Sequence, residues 1–497
     1  MKPFKILLFF AAVAGLLFVI SLVIPDKGIM LGEDFQVRFI SVRNLFDKDT
    51  VSTAYTDSLI LNTTITDDPE SGSIDSVFLM KEQISEKRID KRINMDSLIR
   101  AKIDSISERV HPLEFTEPGK NKLHGFFKAA ENSENEGKLL RVLHYGDSQI
   151  ENDRMTSLLR YRFQKIFGGS GCGIVPAIPL YNGNPTFKED AEGDWKRYTA
   201  FGRRDSTLEH DCYGMLGCFT SVPVPDNDYL PTLKFRFFLG RRASRFSKIN
   251  IYMHSYADTG FIALHMNDTI SDTLLIHRKG YQVLSFKPDI EPERVKLEFN
   301  MPDGGRVYGI GFDPEKGIQF DNIAMRGSSG LEFSRSDRAT LDTMVNDLNP
   351  GLILMQFGGN VVPYIKKASF YKTAIKREIT YLKSIFPDAS ILVIGPSDMS
   401  TKVNGKFVTY PKLEAVRDAL REAALESDCL FWDMYEAMGG VNSIPNFVLA
   451  DPPLARPDYI HFTDKGVNVM AGMFFDALML EYGRYRTRGQ EPGARSQ

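Results

Sequence analysis

The feature that most constrains this chain is its hydrophobic pattern, which changes twice along the sequence. Before residue 184 and again after residue 317, short apolar runs alternate with stretches of helical periodicity. This alternation predicts an α/β domain in which helices cover both faces of a parallel sheet. In between, short runs of alternating apolar and polar residues are separated by turn residues, which predicts an antiparallel β-sandwich. The chain is therefore expected to fold as an α/β domain interrupted by a β domain.

An apolar segment near the N-terminus predicts a transmembrane anchor. As a helix, residues 6–25 would be about 30 Å long, which matches the apolar core of one bilayer. Lys2 and Lys5 precede the segment and favour a cytoplasmic N-terminus. A cleaved signal peptide is the alternative, although its apolar core is usually shorter and no small-residue cleavage site follows Val19. In either case the rest of the chain is expected in the periplasm.

The same changes of pattern suggest domain boundaries. Residues 26–110 are polar and poor in core signals, and they predict a stalk between the membrane and the folded body. The segments after the stalk are residues 111–183 as the first part of the α/β domain, 184–317 as the inserted sandwich, 318–485 as the second part, and 486–497 as a disordered tail.

Charge and cysteine content exclude several functional classes. The formal net charge of −3 provides no basic field for nucleic acid. No CxxC pair is present, so we expect no zinc site built on cysteine, and nothing predicts a nucleotide or flavin cofactor. Cys212 and Cys218 could pair in an oxidising compartment, but ordinary buried thiols fit the sequence equally well. The other two cysteines are Cys172 and Cys429.

A serine follows the first apolar run of the α/β pattern. Leu140–His144 predicts a buried strand, Ser148 lies in the turn after it, and a helix is predicted over Asp153–Phe167. A serine at such a turn can be a nucleophile or simply a helix N-cap. Ile150 stands where the second glycine of a GxSxG elbow would be, which excludes the α/β-hydrolase motif.

A histidine near the C-terminus is the candidate base for this serine. Asp458 lies three residues before His461, close enough to accept a hydrogen bond from the imidazole. Asp464 is the rival partner, but its context predicts the N-cap of the last helix. The histidines of the predicted sandwich lack a carboxylate or cysteine at metal-ligand spacing, and His144 beside the serine turn is expected in the core. The sandwich histidines are His254, His265 and His277.

Oxyanion donors could come from three places, each of which follows a predicted strand. They are the backbone amide of Ser148, the amide of Gly327 and the side chain of Asn360. The carboxyl ends of parallel strands meet at one edge of a sheet, so these groups could converge. Taken singly, a glycine after a strand is usually a turn residue, and Asn360 could cap a helix.

The combination of these blocks resembles the SGNH, or GDSL-type, hydrolase superfamily. The blocks are Gly146-Asp147-Ser148, Gly327, Gly358-Gly359-Asn360 and Asp458-x-x-His461. The resemblance implies a flavodoxin-like three-layer fold. It also implies Ser148 as nucleophile, His461 as base oriented by Asp458, and an oxyanion hole made by Ser148, Gly327 and Asn360. Val361 stands where many members have aspartate, and Ala324-Met325-Arg326-Gly327 departs from the usual approach to the second block, so Gly330 rivals Gly327.

The position of the insertion is similar to that in Gram-negative peptidoglycan O-acetylesterases, in which a carbohydrate-binding-like module interrupts the hydrolase domain. The resemblance implies a serine esterase that removes O-acetyl groups from a cell-envelope or dietary polysaccharide, with peptidoglycan favoured. One alternative is an O-acetyltransferase that works with a membrane-bound acyltransferase; another is a non-catalytic glycan-binding protein. Aromatic residues of the insertion could stack on sugars, but a core role is more typical. They are Trp195, Tyr198, Phe201, Tyr213 and Tyr229.

Overall fold

The computed structural model describes residues 110–488, except 182, 204, 227–228 and 239–241, together with two short strands nearer the N-terminus. These strands, β1 (Ile29–Met30) and β2 (Gln36–Val37), form an antiparallel pair within a separate unit, residues 1–55. The predicted anchor at residues 6–25 lies outside the described residues, as does most of the predicted stalk. Among the helices that are described, none combines the length and apolar character needed to cross a membrane.

Strands and helices alternate in the two outer parts of the folded body, and strands dominate between them. The strands are β3 (Glu114–Phe115), β4 (Leu139–Gly146), β5 (Gly173–Val175), β6 (Phe187–Glu192), β7 (Lys196–Thr199), β8 (Cys218–Val222), β9 (Thr232–Phe237), β10 (Lys248–Ser255), β11 (Phe261–Met266), β12 (Thr269–Leu275), β13 (Gly280–Phe286), β14 (Arg294–Asn300), β15 (Gly305–Asp313), β16 (Gly317–Ala324), β17 (Pro350–Gln356), β18 (Ser390–Ile394), β19 (Ser400–Val403), β20 (Lys406–Thr409) and β21 (Leu430–Trp432). The α-helices are α1 (Glu117–Asn132), α2 (Arg154–Phe167), α3 (Arg338–Leu348), α4 (Ala368–Ile385), α5 (Leu413–Leu425), α6 (Met434–Ala437), α7 (Ser443–Leu449) and α8 (Asp464–Arg488).

The central sheet has the strand order β16-β4-β17-β18-β21-β3. All neighbouring strands are parallel except β3, which pairs antiparallel with β21 at the edge. Counted along the chain, the parallel strands follow the order 2-1-3-4-5, which is the flavodoxin-like arrangement. The predicted α/β domain is therefore confirmed.

Helices cover both faces of this sheet because its strands are apolar on both sides. Leu352 and Leu354 of β17 pack in one core with α1, α2 and α8, whereas Ile353 and Met355 pack in the other with α3, α4 and α5. Successive side chains of a strand point to opposite faces, so one apolar run supplies both cores. The last helix ends at Arg488, so residues 486–488 are helical and not part of the predicted disordered tail.

The inserted segment forms two antiparallel sheets. One has the order β13-β10-β15-β8-β7, with β5 also paired to β15, and the other has the order β12-β11-β14-β9-β6. Aromatic side chains fill the space between them, among them Phe187, Phe235, Phe237 and Phe312. The sandwich predicted from the alternating pattern is thus present, and it takes strand β5 from the segment before the predicted boundary.

A buried ion-pair network joins the insertion to the central sheet. Arg141 of β4 donates to both carboxylate oxygens of Asp321 on β16, at 2.9 and 3.0 Å. The same guanidinium pairs with Asp313 of β15 and donates to the Tyr252 hydroxyl at 3.3 Å. Burial lowers the pKa of Arg141, but the two carboxylates outweigh this effect and raise it overall. Arg141 therefore stays protonated, and its contacts with Asp313 and Asp321 tie the two parts of the fold together.

Candidate active site

The turn after β4 presents Ser148 at the carboxyl edge of the sheet. A 3₁₀ turn over Ser148–Asp153 leads into α2, and its residues Asn152 and Asp153 have φ angles of 59° and 60°. Asp147 caps the turn, because its carboxylate accepts from the Gln149 amide at 3.0 Å. The capping role that the sequence allowed for Ser148 is therefore filled by its neighbour, and the Ser148 hydroxyl faces elsewhere.

The structure brings Ser148, His461 and Asp458 together in one hydrogen-bonded chain. Ser148 Oγ lies 3.0 Å from His461 Nε2, and His461 Nδ1 lies 2.9 Å from Asp458 Oδ2. The other Asp458 oxygen accepts from the backbone amides of Ile460 and His461, at 2.9 and 3.0 Å. Asp464, the rival partner, is the first residue of α8. This order of contacts is that of a serine, base and orienting carboxylate.

Asp458 is held in its ionised form. Partial burial raises the pKa of this carboxyl, but hydrogen bonds from the backbone and ring of His461 and from the Ile460 amide outweigh burial and lower it overall. An ionised Asp458 accepts from Nδ1–H, which leaves the Nε2 lone pair of His461 directed at Ser148.

Gln149 from the serine turn and Arg154 from the start of α2 hold the backbone on either side of His461. Gln149 Nε2 donates to the Ile460 carbonyl at 2.9 Å. Arg154 Nη2 donates to the Ser148 carbonyl at 2.7 Å, and its Nη1 donates to the Phe462 carbonyl at 3.4 Å. These contacts fix the distance between Ser148 and His461. No role for Gln149 or Arg154 was predicted from the sequence, because contacts between segments some 300 residues apart leave no local pattern.

The candidate oxyanion donors lie beside Ser148, and the structure separates Gly327 from its rival. Gly327 and Asn360 line the same cleft as Ser148, whereas Gly330 does not. The Gly330 amide donates to the Ser328 hydroxyl at 2.9 Å, so it is already engaged. Gly327 has a φ of 77°, a left-handed conformation that favours glycine. The arrangement supports Gly327 as the donor in the second block.

Asp147 lies beneath the site and was given no role from the sequence. It is buried, and Asn360 Nδ2 approaches its carboxylate at 3.4 Å while donating to the Ser328 carbonyl at 3.0 Å. Burial raises the pKa of Asp147 to about 6, although the Gln149 amide opposes this. The carboxylate therefore helps to orient the Asn360 side chain.

The cleft in front of Ser148 has a volume of about 420 Å³ and runs along the carboxyl edge of the sheet. Its walls come from the loops that follow β16, β4, β17 and β18 of the central sheet, and from Tyr410 and His461. They include Arg326, Tyr364, Met399 and Tyr410. No substrate-binding residue was predicted from the sequence. Arg326 and Tyr364 lie within four residues of Gly327 and Asn360, so proximity to these blocks is the signal that could have identified them.

Other predicted candidates lie apart from this cleft. His144 is buried between Gln356 and Thr156, at 3.1 and 2.9 Å, and burial lowers its pKa to about 4, so it is the core histidine that was expected. The four cysteines are free thiols, so Cys212 and Cys218 are not paired with each other. Within the described part of the chain, no group of three or more histidine, cysteine or acidic side chains is arranged to hold a metal ion.

The aromatic residues of the insertion mostly belong to its core. Trp195, Phe201 and Tyr213 are buried, and Tyr198 stacks on Phe219 with ring centroids 5.0 Å apart. Tyr229 is 38% exposed. The core role that the sequence favoured is therefore confirmed for the three buried residues.

Comparisons with known proteins support the fold. No protein-family model matches the sequence, and a search of the curated proteins found no match. Among solved structures, a peptidoglycan O-acetylesterase superposes with a TM-score of 0.59 at 20% identity, covering 74% of this chain and 96% of that chain.

Two further solved structures superpose too weakly to support a further conclusion. A protein from Parabacteroides merdae described as a GDSL-like lipase gives a TM-score of 0.26 at 16% identity, covering 33% of this chain and 74% of that one. A family two carbohydrate esterase from Cellvibrio japonicus gives a TM-score of 0.20 at 11% identity, covering 50% of this chain and 89% of that one.

The sheet order, the serine turn after β4, the inserted sandwich and the first superposition together show that the chain has the fold of an SGNH, or GDSL-type, hydrolase with an extra domain.

Proposed function

We propose that this protein is a serine esterase that removes O-acetyl groups from a polysaccharide, with peptidoglycan as the favoured substrate. The observation that carries the proposal is the continuous hydrogen-bonded chain from Ser148 through His461 to Asp458, at 3.0 and 2.9 Å, beside an open cleft. A serine in this geometry is activated by the neighbouring base.

In the proposed mechanism, His461 Nε2 takes the proton of Ser148 as Oγ attacks the acetyl carbonyl. The negative charge that develops on the carbonyl oxygen is stabilised by the amides of Ser148 and Gly327 and by the second N–H of Asn360 Nδ2, which otherwise makes only the 3.4 Å contact to Asp147 among the described residues. The protonated His461 then gives its proton to the departing sugar oxygen, which leaves an acetyl-enzyme. A water molecule, deprotonated by His461, attacks this ester and releases acetate, and the proton returns to Ser148.

The choice of substrate rests on two observations. The solved structure that superposes over 74% of this chain is that of a peptidoglycan O-acetylesterase. The cleft is open along the edge of the sheet and is lined by loops from four strands, which suits a polymer better than a single small ester. Both observations favour an acetylated polysaccharide.

The test is acetate release from O-acetylated peptidoglycan, acetylated xylan and acetylated pectin, measured for the wild type and for Ser148→Ala. Ser247→Ala, at an exposed serine of the insertion, is the matched control. We expect Ser148→Ala to abolish release and the control to retain it. Normal turnover by Ser148→Ala would overturn the proposal. Acetyl transfer to an added polysaccharide, in place of acetate release, would favour the O-acetyltransferase alternative.

We also propose that residues 6–25 anchor the protein in the inner membrane, with the hydrolase domain in the periplasm. The proposal rests on the length and apolar character of this segment and on the lysines before it. Membrane fractionation of the full-length chain, compared with a chain that lacks residues 6–25, tests the anchor. Equal recovery of both chains in the soluble fraction would contradict it.

A further inference from the structure

An exposed aromatic ring stands in the cleft that contains Ser148. Tyr364 lines this cleft, and 84% of its surface is exposed. Its backbone is fixed, because the amides of Tyr364 and Ile365 donate to the Val361 carbonyl at 3.1 and 3.0 Å. Among the described residues, no ring contact or hydrogen bond restrains its side chain. An uncovered aromatic ring on a fixed backbone in a cleft is typical of a surface that a ligand covers.

A permanent positive charge lines the same cleft. Arg326 precedes Gly327, and 63% of its side chain is exposed. It lies over the Tyr181 ring at 5.6 Å, and its Nη1 is 3.5 Å from Glu151, which is longer than a good charged hydrogen bond. A guanidinium has five N–H donors, so this single long contact leaves most of them available to a ligand.

The sheet order determines how these two residues flank the nucleophile. Arg326 follows β16, Ser148 follows β4, and Tyr364 lies in the loop after β17. In the sheet, β4 lies between β16 and β17. The cation and the aromatic ring therefore belong to the loops on opposite sides of the nucleophile. A ligand that reaches Ser148 can contact both.

We propose that Tyr364 and Arg326 select the substrate, an O-acetylated acidic glycan. Tyr364 stacks on the C–H face of a sugar ring, and Arg326 binds a carboxylate carried by that sugar or by its neighbour. Planar guanidinium groups bind carboxylates with two parallel hydrogen bonds, which gives both affinity and orientation. This inference rests on the proposed esterase function and names the chemical class of substrate for the same site.

The experiment compares three substrates with the full-length chain: acetylated oligogalacturonate, neutral acetylated xylo-oligosaccharide, and 4-methylumbelliferyl acetate, which has no sugar. The variants are Tyr364→Ala, Tyr364→Phe, Arg326→Gln and Arg326→Lys. Phe370→Ala and Arg245→Gln are the matched controls. Phe370 is 69% exposed, the Arg245 side chain is 59% exposed, and neither residue lines the cleft.

We expect Tyr364→Ala to lower kcat/KM for both oligosaccharides, relative to the aryl acetate, roughly tenfold, while Tyr364→Phe retains the wild-type ratio. Arg326→Gln should lower the preference for the acidic over the neutral oligosaccharide roughly tenfold, and Arg326→Lys should restore part of it. If both truncations behaved like the controls while Ser148→Ala was inactive, the inference would be wrong and the esterase proposal would stand.

A binding measurement tests the inference independently of ester cleavage. Calorimetric titration of Ser148→Ala with acetylated oligogalacturonate gives a Kd, which we expect to weaken roughly tenfold on adding either Tyr364→Ala or Arg326→Gln. An unchanged Kd in both double variants would overturn the inference. If Ser148→Ala still released acetate, the esterase proposal would fail. Titration with the deacetylated oligogalacturonate would then test separately whether Tyr364 and Arg326 bind the glycan.

Discussion

At the scale of single residues, the orientation of His461 depends on one carboxylate that makes three hydrogen bonds. Asp458 accepts from the His461 ring, the His461 amide and the Ile460 amide, at 2.9, 3.0 and 2.9 Å. Asp147 has a different role, because it is buried and lies next to the Asn360 side chain. Burial raises the pKa of both carboxyls, but it dominates at Asp147, whereas at Asp458 the hydrogen bonds from His461 and Ile460 outweigh it and lower the pKa overall.

Asn360 is expected to act mainly in the transition state. Replacing it with alanine removes one proposed oxyanion donor, so kcat should fall about 10²-fold to 10³-fold while KM changes little. Steady-state kinetics with an aryl acetate measure both constants. Asn132→Ala, at a helix position that does not line the cleft, is the control. A loss confined to KM would show that Asn360 binds the ground state instead.

Asp147 is expected to destabilise the folded protein at neutral pH. Burial raises its pKa from 3.8 to about 6, so folding favours the protonated carboxyl. The stability that folding gains from the protonated carboxyl is fully present below pH 3.8 and is lost as the pH rises through about 6. The free energy of unfolding of Asp147→Asn should therefore be about 3 kcal/mol higher than that of the wild type at about pH 8, and similar to it near pH 4.

Urea denaturation at the two pH values measures this difference. The asparagine side chain of the variant keeps an oxygen acceptor for the Gln149 amide, so the cap of the serine turn is retained. Equal stability of the two proteins at about pH 8 would show that the Asp147 charge is well stabilised by its neighbours.

At the scale of elements, the serine turn and the loop before α8 form one unit. Arg154 donates hydrogen bonds to the Ser148 and Phe462 carbonyls, and Gln149 donates one to the Ile460 carbonyl. The hairpin of β19 and β20 supports the same loop, since Phe407 stacks on Tyr459 with ring centroids 3.7 Å apart. The loop that carries His461 is thus positioned by contacts from two other segments.

Loss of the Arg154 contacts should displace His461 without removing any reacting group. We expect Arg154→Lys to lower kcat about tenfold or more, because a lysine cannot reach two carbonyls with a planar fork and small misplacements of reacting groups are costly. KM for an aryl acetate should change much less. The comparison of kcat with KM separates this positioning role from a general loss of fold, which circular dichroism would report.

At the scale of the whole molecule, the buried Arg141 network joins β4 and β16 of the central sheet to β15 of the sandwich. Removing the cation leaves Asp313 and Asp321 buried without their partner. Arg141→Ala should therefore lower the free energy of unfolding by about 3–5 kcal/mol. Replacing all three residues with apolar side chains of similar volume should be much closer to neutral.

Chemical denaturation of these variants checks both expectations. The single variant is also expected to separate unfolding of the sandwich from that of the α/β domain, which would appear as two transitions. If Arg141→Ala lowered the free energy of unfolding by less than about 1 kcal/mol, the network would contribute little to joining the two parts.

Much of the fold could be predicted because its signals are local. The apolar run in β17 and the helical periodicity of α4 and α5 each lie within one short window, in the part of the chain where the alternating pattern predicted strands and helices. The blocks that contain Ser148, Asn360 and His461 were each ambiguous alone, and only their combination along the chain made them recognisable. The end of α8 was predicted too early, because helical propensity changes little across its final residues.

The sequence by itself determined the order of strands and helices and the residue types available for chemistry, since hydrophobic period and turn residues act over a few positions. Only the tertiary structure placed Gly327, and not Gly330, in the cleft with Ser148, brought Gln149 and Arg154 to the backbone around His461, and placed Arg326 and Tyr364 in loops on opposite sides of Ser148. The physical reason is the parallel sheet: its strand order gathers loops that are distant in sequence at one edge, and no local pattern records which loops become neighbours.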